Sequence, residues 1–300
     1  MLGLLDYDRE ILSTFQLRAF MLIRILILTS TLCLATRLLA DDSTWPEFRG
    51  PSGDGIAADA DLPIAIDKSV VDWRTAIHGK GWSSPVVWKN QIWLTTATED
   101  GKRMSVMCID RASGKIVHDK VLIENEEPSF CHPMNSYASP TPAIKDGYVY
   151  VHFGAYLTAC LETTNADVIW QRRDFECDHF RGPASSPILY DGKMFVAFDG
   201  IDVQYVVALD AQTGETVWRQ KRRIDYGTDV GDQMKAYGTA EVINVNGQDQ
   251  LVYPSAAATI AYDPQTGGEI WTVYHGGMNA SARPILAGST LLLTNGQGVM

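Results

Sequence analysis

Several sequence patterns of common enzymes are missing from this chain of 300 residues. It has no Gly-x-Ser-x-Gly sequence, no His-Glu-x-x-His sequence and no glycine-rich phosphate-binding loop, which excludes the usual nucleophile elbow, zinc-protease helix and P-loop. Basic residues are also scarce: 25 Lys and Arg stand against 36 Asp and Glu, and the formal net charge is −11. The basic runs Arg172-Arg173 and Lys221-Arg222-Arg223 are short and are interpreted as solvated strand ends, so no nucleic acid partner is expected.

Long apolar runs are confined to the beginning of the chain. Met21 to Arg24, Ile25 to Ala35 and the stretch ending at Ala40 follow the charged, apolar and small-residue order of a secretory signal. We therefore expect residues 1–40 to be a cleaved signal peptide, with Met21 as an alternative start. The apolar part is shorter than the roughly 20 residues of a membrane span, so an uncleaved anchor is the minor alternative. The predicted location is periplasmic or secreted, with no integral membrane span after cleavage.

What the sequence does contain is a repeat with a period of about 50 residues. The stretch Ala208 to Trp218 returns as Ala261 to Trp271, with a small residue, an acid, a glycine and a tryptophan at identical offsets. Weaker copies surround positions 110 and 162. The repeat residues are Asp110, Gly114, Glu162, Trp170, Asp210, Gly214, Trp218, Asp263, Gly267 and Trp271. A period of this size is typical of a propeller, a solenoid or another repeat array.

Each repeat unit has the composition of a β-hairpin around a tight turn. The acid can accept backbone N–H groups of the turn, and the glycine permits the positive φ that closes it. The tryptophan is predicted to stack one sheet on the next. Cys108 and Cys160 occupy the slot of the small residue and should be buried core residues. Cys131 and Cys177 lie in longer connections, where a disulfide, a metal site or free thiols all remain open.

Each unit also begins with a short strand and a turn pair such as Asp146-Gly147 or Asp191-Gly192, a strong hairpin signal. Four strands per unit predict an all-β β-propeller of four-stranded antiparallel blades. About four and a half blades fit into residues 81–300. Residues 41–80 are predicted to be a lead-in followed by an orphan closing strand, residues 70–74, from a blade that has no beginning.

This repeat resembles the pyrroloquinoline-quinone-like (PQQ-like) β-propeller repeat that quinoprotein alcohol dehydrogenases share with the propeller lipoprotein of outer-membrane barrel assembly. The lead-in Trp45-Pro46-Glu47-Phe48-Arg49-Gly50-Pro51 is similar to the opening of secreted planctomycete propellers of this type. The resemblance implies seven or eight blades in a full form, so the chain is expected to be truncated at its C-terminus.

The resemblance also bears on cofactors. Quinoprotein dehydrogenases of the family carry an adjacent Cys-Cys disulfide, a Ca²⁺ site of acidic and amide ligands, and an Asp base. This sequence has no adjacent Cys pair and no Cys-x-x-Cys-His haem-attachment sequence. PQQ and Ca²⁺ are therefore disfavoured, and no cofactor is predicted.

The loops of one face of the propeller are the expected ligand face, because connections between blades and between the second and third strands emerge together there. The candidates are Cys131, His132, Asn135, Cys177, His179, Arg181, Asp199, Asp202, Gln204, Lys235 and Tyr237. Cys131, His132, Cys177 and His179 could hold a transition metal, although their spacing matches no closed zinc motif.

Three functions follow from these features. The leading hypothesis is a non-catalytic binding or assembly scaffold of the cell envelope, with an envelope protein or a small polar ligand as its partner and no catalytic residue. The alternative is a PQQ-dependent alcohol dehydrogenase. The third is a metal-dependent enzyme or metal-binding site on the loops.

Overall fold

The regular structure of the chain is almost entirely β-strand. The computed structural model describes residues 44–57 and 62–296, so the predicted signal peptide lies outside the described residues. These residues form four antiparallel four-stranded sheets and one two-stranded hairpin. Every sheet is built from strands that are consecutive in the sequence, which confirms the predicted four-stranded blades.

The sheets are numbered in chain order. Sheet 1 contains β1 (Val86–Trp88), β2 (Gln91–Ala97), β3 (Arg103–Asp110) and β4 (Ile116–Glu124), and sheet 2 contains β5 (Ala143–Lys145), β6 (Tyr148–His152), β7 (Thr158–Glu162) and β8 (Val168–Arg172). Sheet 3 contains β9 (Ile188–Tyr190), β10 (Lys193–Asp199), β11 (Gln204–Asp210) and β12 (Thr216–Lys221), and sheet 4 contains β13 (Glu241–Val245), β14 (Gln248–Pro254), β15 (Ala258–Tyr262) and β16 (Glu269–Tyr274). The hairpin consists of β17 (Ile285–Ala287) and β18 (Thr290–Leu292).

In the part of the chain that the structure describes, helical structure is limited to single turns. They are 3₁₀ turns at Lys68–Val70 and Gly154–Tyr156 and the helix α1 (Gly231–Met234). Within residues 44–57 and 62–296, no helix has the length and apolar character needed to cross a membrane.

The first two strands of a sheet are joined by two-residue turns. At Asp146-Gly147, Asp191-Gly192 and Asn246-Gly247 both residues have positive φ, as a type I′ turn requires. The right-handed twist of the flanking strands matches this turn, so the strands continue as a regular antiparallel pair. The sequence signal for these hairpins is therefore entirely local.

The turn between the third and fourth strands has the same backbone in all four sheets. The N–H of Gly214 donates to the Asp210 carbonyl at 2.9 Å, and equivalent bonds close the turns at positions 110, 162 and 263. Asp210 Oδ1 accepts the N–H of Thr213 at 2.9 Å. That hydrogen bond lowers the pKa of Asp210, because it favours the ionised carboxylate. In sheet 2, Glu162 and Ala166 (φ 59°) keep the backbone bond without the aspartate and the glycine.

A β-bulge next to this turn explains the small residue of the repeat. The register between the third and fourth strands shifts directly after Cys108, Cys160, Ala208 and Ala261, and sheet 1 has a second shift after Met104. The residues directly opposite these four are His118, Trp170, Trp218 and Trp271. A small side chain leaves room for the large ring across the strand pair. Cys108 and Cys160 are accordingly buried, with free thiols.

Trp170 and Trp218 dock their sheets onto the following ones, whereas Trp271 Nε1 donates to Gln250 Oε1 within its own sheet. Trp170 Nε1 donates to the Ala211 carbonyl of sheet 3 at 2.9 Å. Its ring covers Gly214 so closely that a Cβ there would lie 2.6 Å from the indole, so glycine is needed for contact as well as for φ. Trp218 makes the same contacts with Pro264 and Gly267 of sheet 4. The core therefore lies between the sheets, where Trp93, Phe198 and Tyr253 are completely buried.

Residues 70–74 differ from the predicted closing strand. They belong to no ladder in the described part of the chain, because no neighbouring strand of their own blade is present there to pair with them. Trp73 nevertheless docks on sheet 1, since its Nε1 donates to the Arg111 carbonyl at 2.8 Å and its ring covers Gly114. The docking contact of the repeat thus persists without the strand pairing.

The lead-in crosses the first strands of the sheets. Trp45 bridges Val87 of β1, and the N–H of Ile144 in β5 donates to the Pro46 carbonyl at 2.7 Å. Further along, Glu47 reaches Arg283, the residue two positions before β17. The first strands of the blades are therefore linked by a segment that precedes all of them in the sequence.

We use the name clasp for the buried cluster of Glu47, Arg283 and Glu241. Arg283 Nη2 lies 2.7 Å from Glu47 Oε1, and Arg283 Nε lies 2.7 Å from Glu241 Oε2. Its remaining nitrogen, Nη1, donates to the Phe48 carbonyl at 2.5 Å. Burial raises the pKa of Glu47 and raises that of Glu241 to about 7, although Arg283 opposes both shifts.

Candidate functional site

Four inter-sheet connections emerge on one face of the molecule, which we call the loop face. They are residues 125–142, 173–187, 222–240 and 275–284. The loops between the second and third strands of each sheet emerge on the same face, because an up-and-down sheet alternates its connections between two ends. The tight turns described above lie on the opposite face.

A cavity of about 380 Å³ lies among these connections. We call it the loop-face cavity, and its lining comes from all four of them. The lining residues are His132, Met134, Asn135, Arg181, Ala184, Tyr237, Asn279 and Ser281. Five predicted site residues therefore meet near one point: His132, Asn135, Arg181 and Tyr237 on the wall, with Lys235 directly behind it.

An ionic cluster supports this cavity, and we name Arg181, Asp232 and Lys235 the loop-face cluster. Arg181 Nη2 lies 2.6 Å from Asp232 Oδ2, and Lys235 Nζ lies 2.5 Å from Asp232 Oδ1. Lys235, whose side chain is 0 % exposed, also donates to Asn279 Oδ1 at 2.6 Å. The α1 turn places Asp232 between the two cations. One carboxylate is thus shared by two positive charges.

The titration of these groups follows from their burial. Burial lowers the pKa of Lys235, an effect that the hydrogen bond to Asp232 opposes. Burial alone would raise the pKa of Asp232, but Lys235 and Arg181 together bring it below its ordinary value. Burial raises the pKa of Tyr237, so its phenol stays protonated and can donate at neutral pH.

The backbone of Arg181 is held by the neighbouring connection. Its carbonyl accepts Asn135 Nδ2 at 2.8 Å and the N–H of His132 at 3.4 Å, while Cys131 Sγ lies 3.6 Å away. Gly182 follows with φ 91°, and a Cβ there would lie 2.6 Å from Cys131 Sγ. Cys131, His132 and Asn135 therefore position Arg181.

The four residues predicted to hold a metal do not form a ligand set. Cys131 packs against the Arg181 carbonyl and Gly182, whereas Cys177 Sγ lies 3.7 Å from His179 Nδ1 beside Gly200. Both cysteines are free thiols, so the open disulfide alternative is not realised in the structure. Among residues 44–57 and 62–296, no group of three or more His, Cys, Asp and Glu side chains is placed to hold a metal ion. The Cys131 thiol is thus surrounded by backbone groups, and the Cys177 thiol has His179 as its one neighbour from the predicted set.

Cys177 and His179 line a separate, smaller cavity of about 180 Å³ with Phe130, Tyr156 and Phe180. Burial raises the pKa of Cys177 and lowers that of His179 to about 4. The thiol and the imidazole are therefore both neutral at pH 7. This pair has neither the thiolate nor the imidazolium that nucleophilic cysteine chemistry needs.

The remaining three predicted residues stabilise the loop between β10 and β11. Asp199 forms a bidentate ion pair with Arg222, in which both oxygen–nitrogen distances are 2.7 Å. Asp202 Oδ1 accepts the N–H of Asp178 at 2.8 Å, and Gln204 Nε2 donates to the Gly200 carbonyl at 2.8 Å. These side chains are used within the protein and do not line the loop-face cavity.

The prediction that the run Lys221-Arg222-Arg223 is a solvated strand end is wrong for Arg222. It is 3 % exposed and also donates to the Pro254 carbonyl at 3.2 Å. Burial alone would lower its pKa, but the adjacent Asp199 carboxylate raises it. A carboxylate 23 positions earlier in the chain makes this burial tolerable, and no pattern within the basic run indicates that partner.

Asn279 was not among the predicted residues, and the pairing of Asp232 with Arg181 and Lys235 was not predicted either. Asp232 and Asn279 both lie in inter-sheet connections, which is the only signal that could have found them. Neither occupies a repeated position, because the connections differ in length and sequence while the strands and turns repeat.

Comparison with known proteins identifies the repeat. The sequence profile of the family described as "Outer membrane protein assembly factor BamB" matches residues 64–253 and 202–300. Methanol dehydrogenase (cytochrome c) subunit 1 of Methylobacterium organophilum is 26 % identical over 152 residues, covering 44 % of this chain and 23 % of that protein.

Two solved structures show the same fold. The quinohemoprotein alcohol dehydrogenase of Comamonas testosteroni superposes with a TM-score of 0.52 and 16 % identity, over 70 % of this chain and 38 % of that one. A europium-containing methanol dehydrogenase gives a TM-score of 0.50 and 12 % identity, over 64 % and 41 %. The chain thus spans less than half the length of these relatives. The likeness confirms the predicted β-propeller, and the closer link to planctomycete propellers stays a prediction.

Proposed function

Because the chain belongs to the PQQ-like propeller family of the outer membrane protein assembly factor BamB, we propose that it is a non-catalytic binding scaffold of the bacterial cell envelope. The proposed location is the periplasm or the cell exterior. Its partner is an envelope protein or a small polar ligand held on the loop face.

The loop-face cavity is the observation that carries this proposal. Four consecutive connections converge on it, and the loop-face cluster holds its wall in place before any ligand arrives. A preformed, mostly apolar cavity with a few fixed polar groups is the usual architecture of a ligand-binding site. Pre-organisation also lowers the entropic cost of binding.

The state of the titratable groups favours binding over catalysis. A general base works best with a pKa near the working pH and within reach of the substrate. On the loop face, Asp199 is paired with Arg222, Asp232 is paired with two cations, and His179 titrates near pH 4. These groups supply structure and fixed charge.

A quinoprotein dehydrogenase is the alternative, because the compared enzymes share the fold. Within the described residues the donors do not fit quinone and calcium. Asp199 and Asp232 are paired with internal cations, no three ligating side chains converge, and the free cysteines are not adjacent in the sequence. We therefore assign no reaction step to such a cofactor.

The test is made on the longest natural form of the protein, purified from the periplasm. Absorbance spectra and elemental analysis are recorded before and after PQQ and Ca²⁺ are added, and dye-linked alcohol oxidation is assayed. The scaffold proposal expects no bound quinone, no stoichiometric metal and no oxidation. Quinone binding with alcohol oxidation would establish the dehydrogenase instead, and a stoichiometric transition metal would establish the metal-dependent function.

Partner capture supplies the positive arm of the test. Crosslinked envelope extracts are compared for the wild-type protein, Arg181→Glu in the loop-face cavity, and the matched variant Arg111→Glu. Arg111 is an exposed arginine on the opposite face, in the turn after β3. A scaffold that uses the loop face loses its partner only in Arg181→Glu. Equal loss in both variants, or in neither, would contradict that choice of face.

A further inference from the structure

We infer that the loop-face cavity binds a carboxylate group, carried either by a small organic acid or by the C-terminus of a polypeptide. This inference rests on the proposed function and names the chemistry of its ligand. It is built on the charges, the unpartnered donors and the rigidity of the cavity wall.

The charge balance of the loop-face cluster is positive. Arg181 and Lys235 carry two positive charges and Asp232 carries one negative charge, which leaves an excess of one positive charge beside the cavity. The whole chain has a formal net charge of −11, so this balance is opposite in sign to that of the protein. A low-dielectric wall strengthens the attraction of such a site for an anion.

Two buried polar atoms of the cavity residues have no partner within the described structure. They are Arg181 Nε and Tyr237 Oη. A buried donor without an acceptor costs free energy, and such atoms are uncommon in folded proteins. Arg181 already uses Nη2 for Asp232, so its Nε–H is left for another acceptor. An anionic oxygen in the cavity would satisfy both donors.

The guanidinium is fixed before binding. The Arg181 backbone carbonyl accepts a hydrogen bond from Asn135, and Arg181 Nη2 donates to Asp232. The Arg181 Cζ lies 5.9 Å from the centre of the Phe180 ring. Little side-chain entropy therefore remains to be lost when an anion binds. Charge-assisted hydrogen bonds from an arginine are about twice as strong as neutral ones.

The ligand class follows from the size of the charge excess. One excess positive charge matches a monoanionic carboxylate better than a phosphate of higher charge. Met134 and Ala184 on the same wall offer apolar contact to the carbon atoms that carry the carboxylate. A cavity of about 380 Å³ has room for a small acid or for the last residue of a peptide.

The experiment is a calorimetric titration of the full chain with defined probes. Acetate and propionate represent small monoanionic acids, and Ala-Ala-Ala with a free C-terminus is compared with its C-terminal amide. Inorganic phosphate tests the preference for a carboxylate. The variants are Tyr237→Phe, which removes one hydroxyl, and Arg181→Gln. Their matched controls on the opposite face are Tyr148→Phe and Arg111→Gln.

We expect at least one carboxylate probe to bind the wild-type protein and the amide to bind at least tenfold more weakly. Tyr237→Phe and Arg181→Gln should each weaken binding about tenfold or more, as expected for lost hydrogen bonds to a charged group. The controls should bind as wild type. Thermal midpoints show that each variant is folded, and Tyr237→Phe serves as the test even if Arg181→Gln is unstable.

Three results would overturn the inference: no binding of any carboxylate probe, equal binding of peptide acid and amide, or equal effects in site and control variants. Stronger binding of phosphate would overturn the carboxylate assignment. A protein that binds the peptide acid but neither acetate nor propionate takes its ligand from a polypeptide, and the reverse identifies a small acid. Failure here leaves the scaffold proposal standing if added quinone also stays unbound, so the two failures are distinguishable.

Discussion

The loop-face cluster and the clasp are two ionic clusters with opposite balances of charge, and the clasp is the more deeply buried of the two. The loop-face cluster has two cations around one carboxylate, and the clasp has two carboxylates around one guanidinium. In the clasp every nitrogen of Arg283 has a partner, whereas Arg181 keeps an unpartnered Nε next to a cavity. A cluster whose arginine nitrogens all have partners joins segments of the chain. A cluster that leaves one arginine N–H without an acceptor can bind a ligand through it.

The largest expected effect comes from removing the central cation of the clasp. Arg283→Met leaves Glu47 and Glu241 buried without a counter-charge, because their side chains are only 15 % exposed. The free energy of unfolding should fall by about 3–5 kcal/mol, as for other broken buried ion pairs. Urea denaturation measures it, with Arg111→Met as a surface control expected within about 0.5 kcal/mol of wild type. A loss below about 1 kcal/mol would show that the clasp carboxylates are not desolvated.

A smaller effect is expected from pH. The pKa of Glu241 is raised in the folded state to about 7 from 4.5, so the folded protein binds this proton more tightly than the unfolded chain does. Its contribution to stability is present below pH 4.5 and is lost as the pH rises toward 7. Glu241→Gln stays neutral and should gain about 2 kcal/mol over wild type between pH 5 and pH 8.

Denaturation of both proteins across this pH range isolates the Glu241 contribution, because the lowered pKa values of turn aspartates such as Asp210 are common to both. A difference between the proteins that does not change with pH would contradict the assignment of this proton to the clasp.

The loss of one cation should lower the free energy of unfolding less in the loop-face cluster than in the clasp. In Lys235→Met, Asp232 keeps Arg181 as its partner, so no carboxylate is left unpaired. We expect a loss of about 1 kcal/mol in the free energy of unfolding, chiefly from the lost hydrogen bond between Lys235 Nζ and Asn279 Oδ1. Carboxylate binding should weaken as well, because the excess positive charge disappears. A loss as large as that of Arg283→Met would remove the distinction between the two clusters.

The smallest effect concerns Tyr237→Phe in the absence of ligand. The Tyr237 hydroxyl has no partner within the described residues, so its removal breaks no internal hydrogen bond. Stability should change by less than about 0.5 kcal/mol or rise slightly. Thermal denaturation without and with a bound carboxylate probe checks this, since the ligand should stabilise wild type and not the variant. A clear loss of stability without ligand would indicate an internal partner for the hydroxyl.

Much of the fold could be predicted from the sequence because its determinants are short-range. The paired glycine turns, the acid that accepts turn N–H groups and the small residue opposite the tryptophan all act within one repeat of about 50 residues. Even the copy at Glu162 and Ala166, which lacks the aspartate and the glycine, keeps the backbone hydrogen bond that closes its turn. Repetition makes such a pattern visible, because the same residue types at the same offsets can be compared from one repeat to the next.

The candidate site was predictable only in part. Topology places the connections on one face, so Arg181, Lys235 and Tyr237 were found by their position in those connections. Their partners could not be deduced, because Asp232 and Asn279 occupy no repeated offset. Asp199 and Arg222 show the converse, since a predicted ligand residue proves to be half of a buried ion pair.

The amino-acid sequence by itself therefore determined the blades, their turns and their docking tryptophans, because these depend on hydrogen bonds and contacts between residues near one another along the chain or at a constant repeat distance. Only the tertiary structure decided which charged side chains meet. Glu47 and Arg283 are 236 positions apart, and Arg181 and Asp232 are 51 apart in connections of unequal length. Such pairs form when packed sheets bring distant segments together. The number of cations and carboxylates that meet there then decides whether the cluster has an excess of positive or of negative charge.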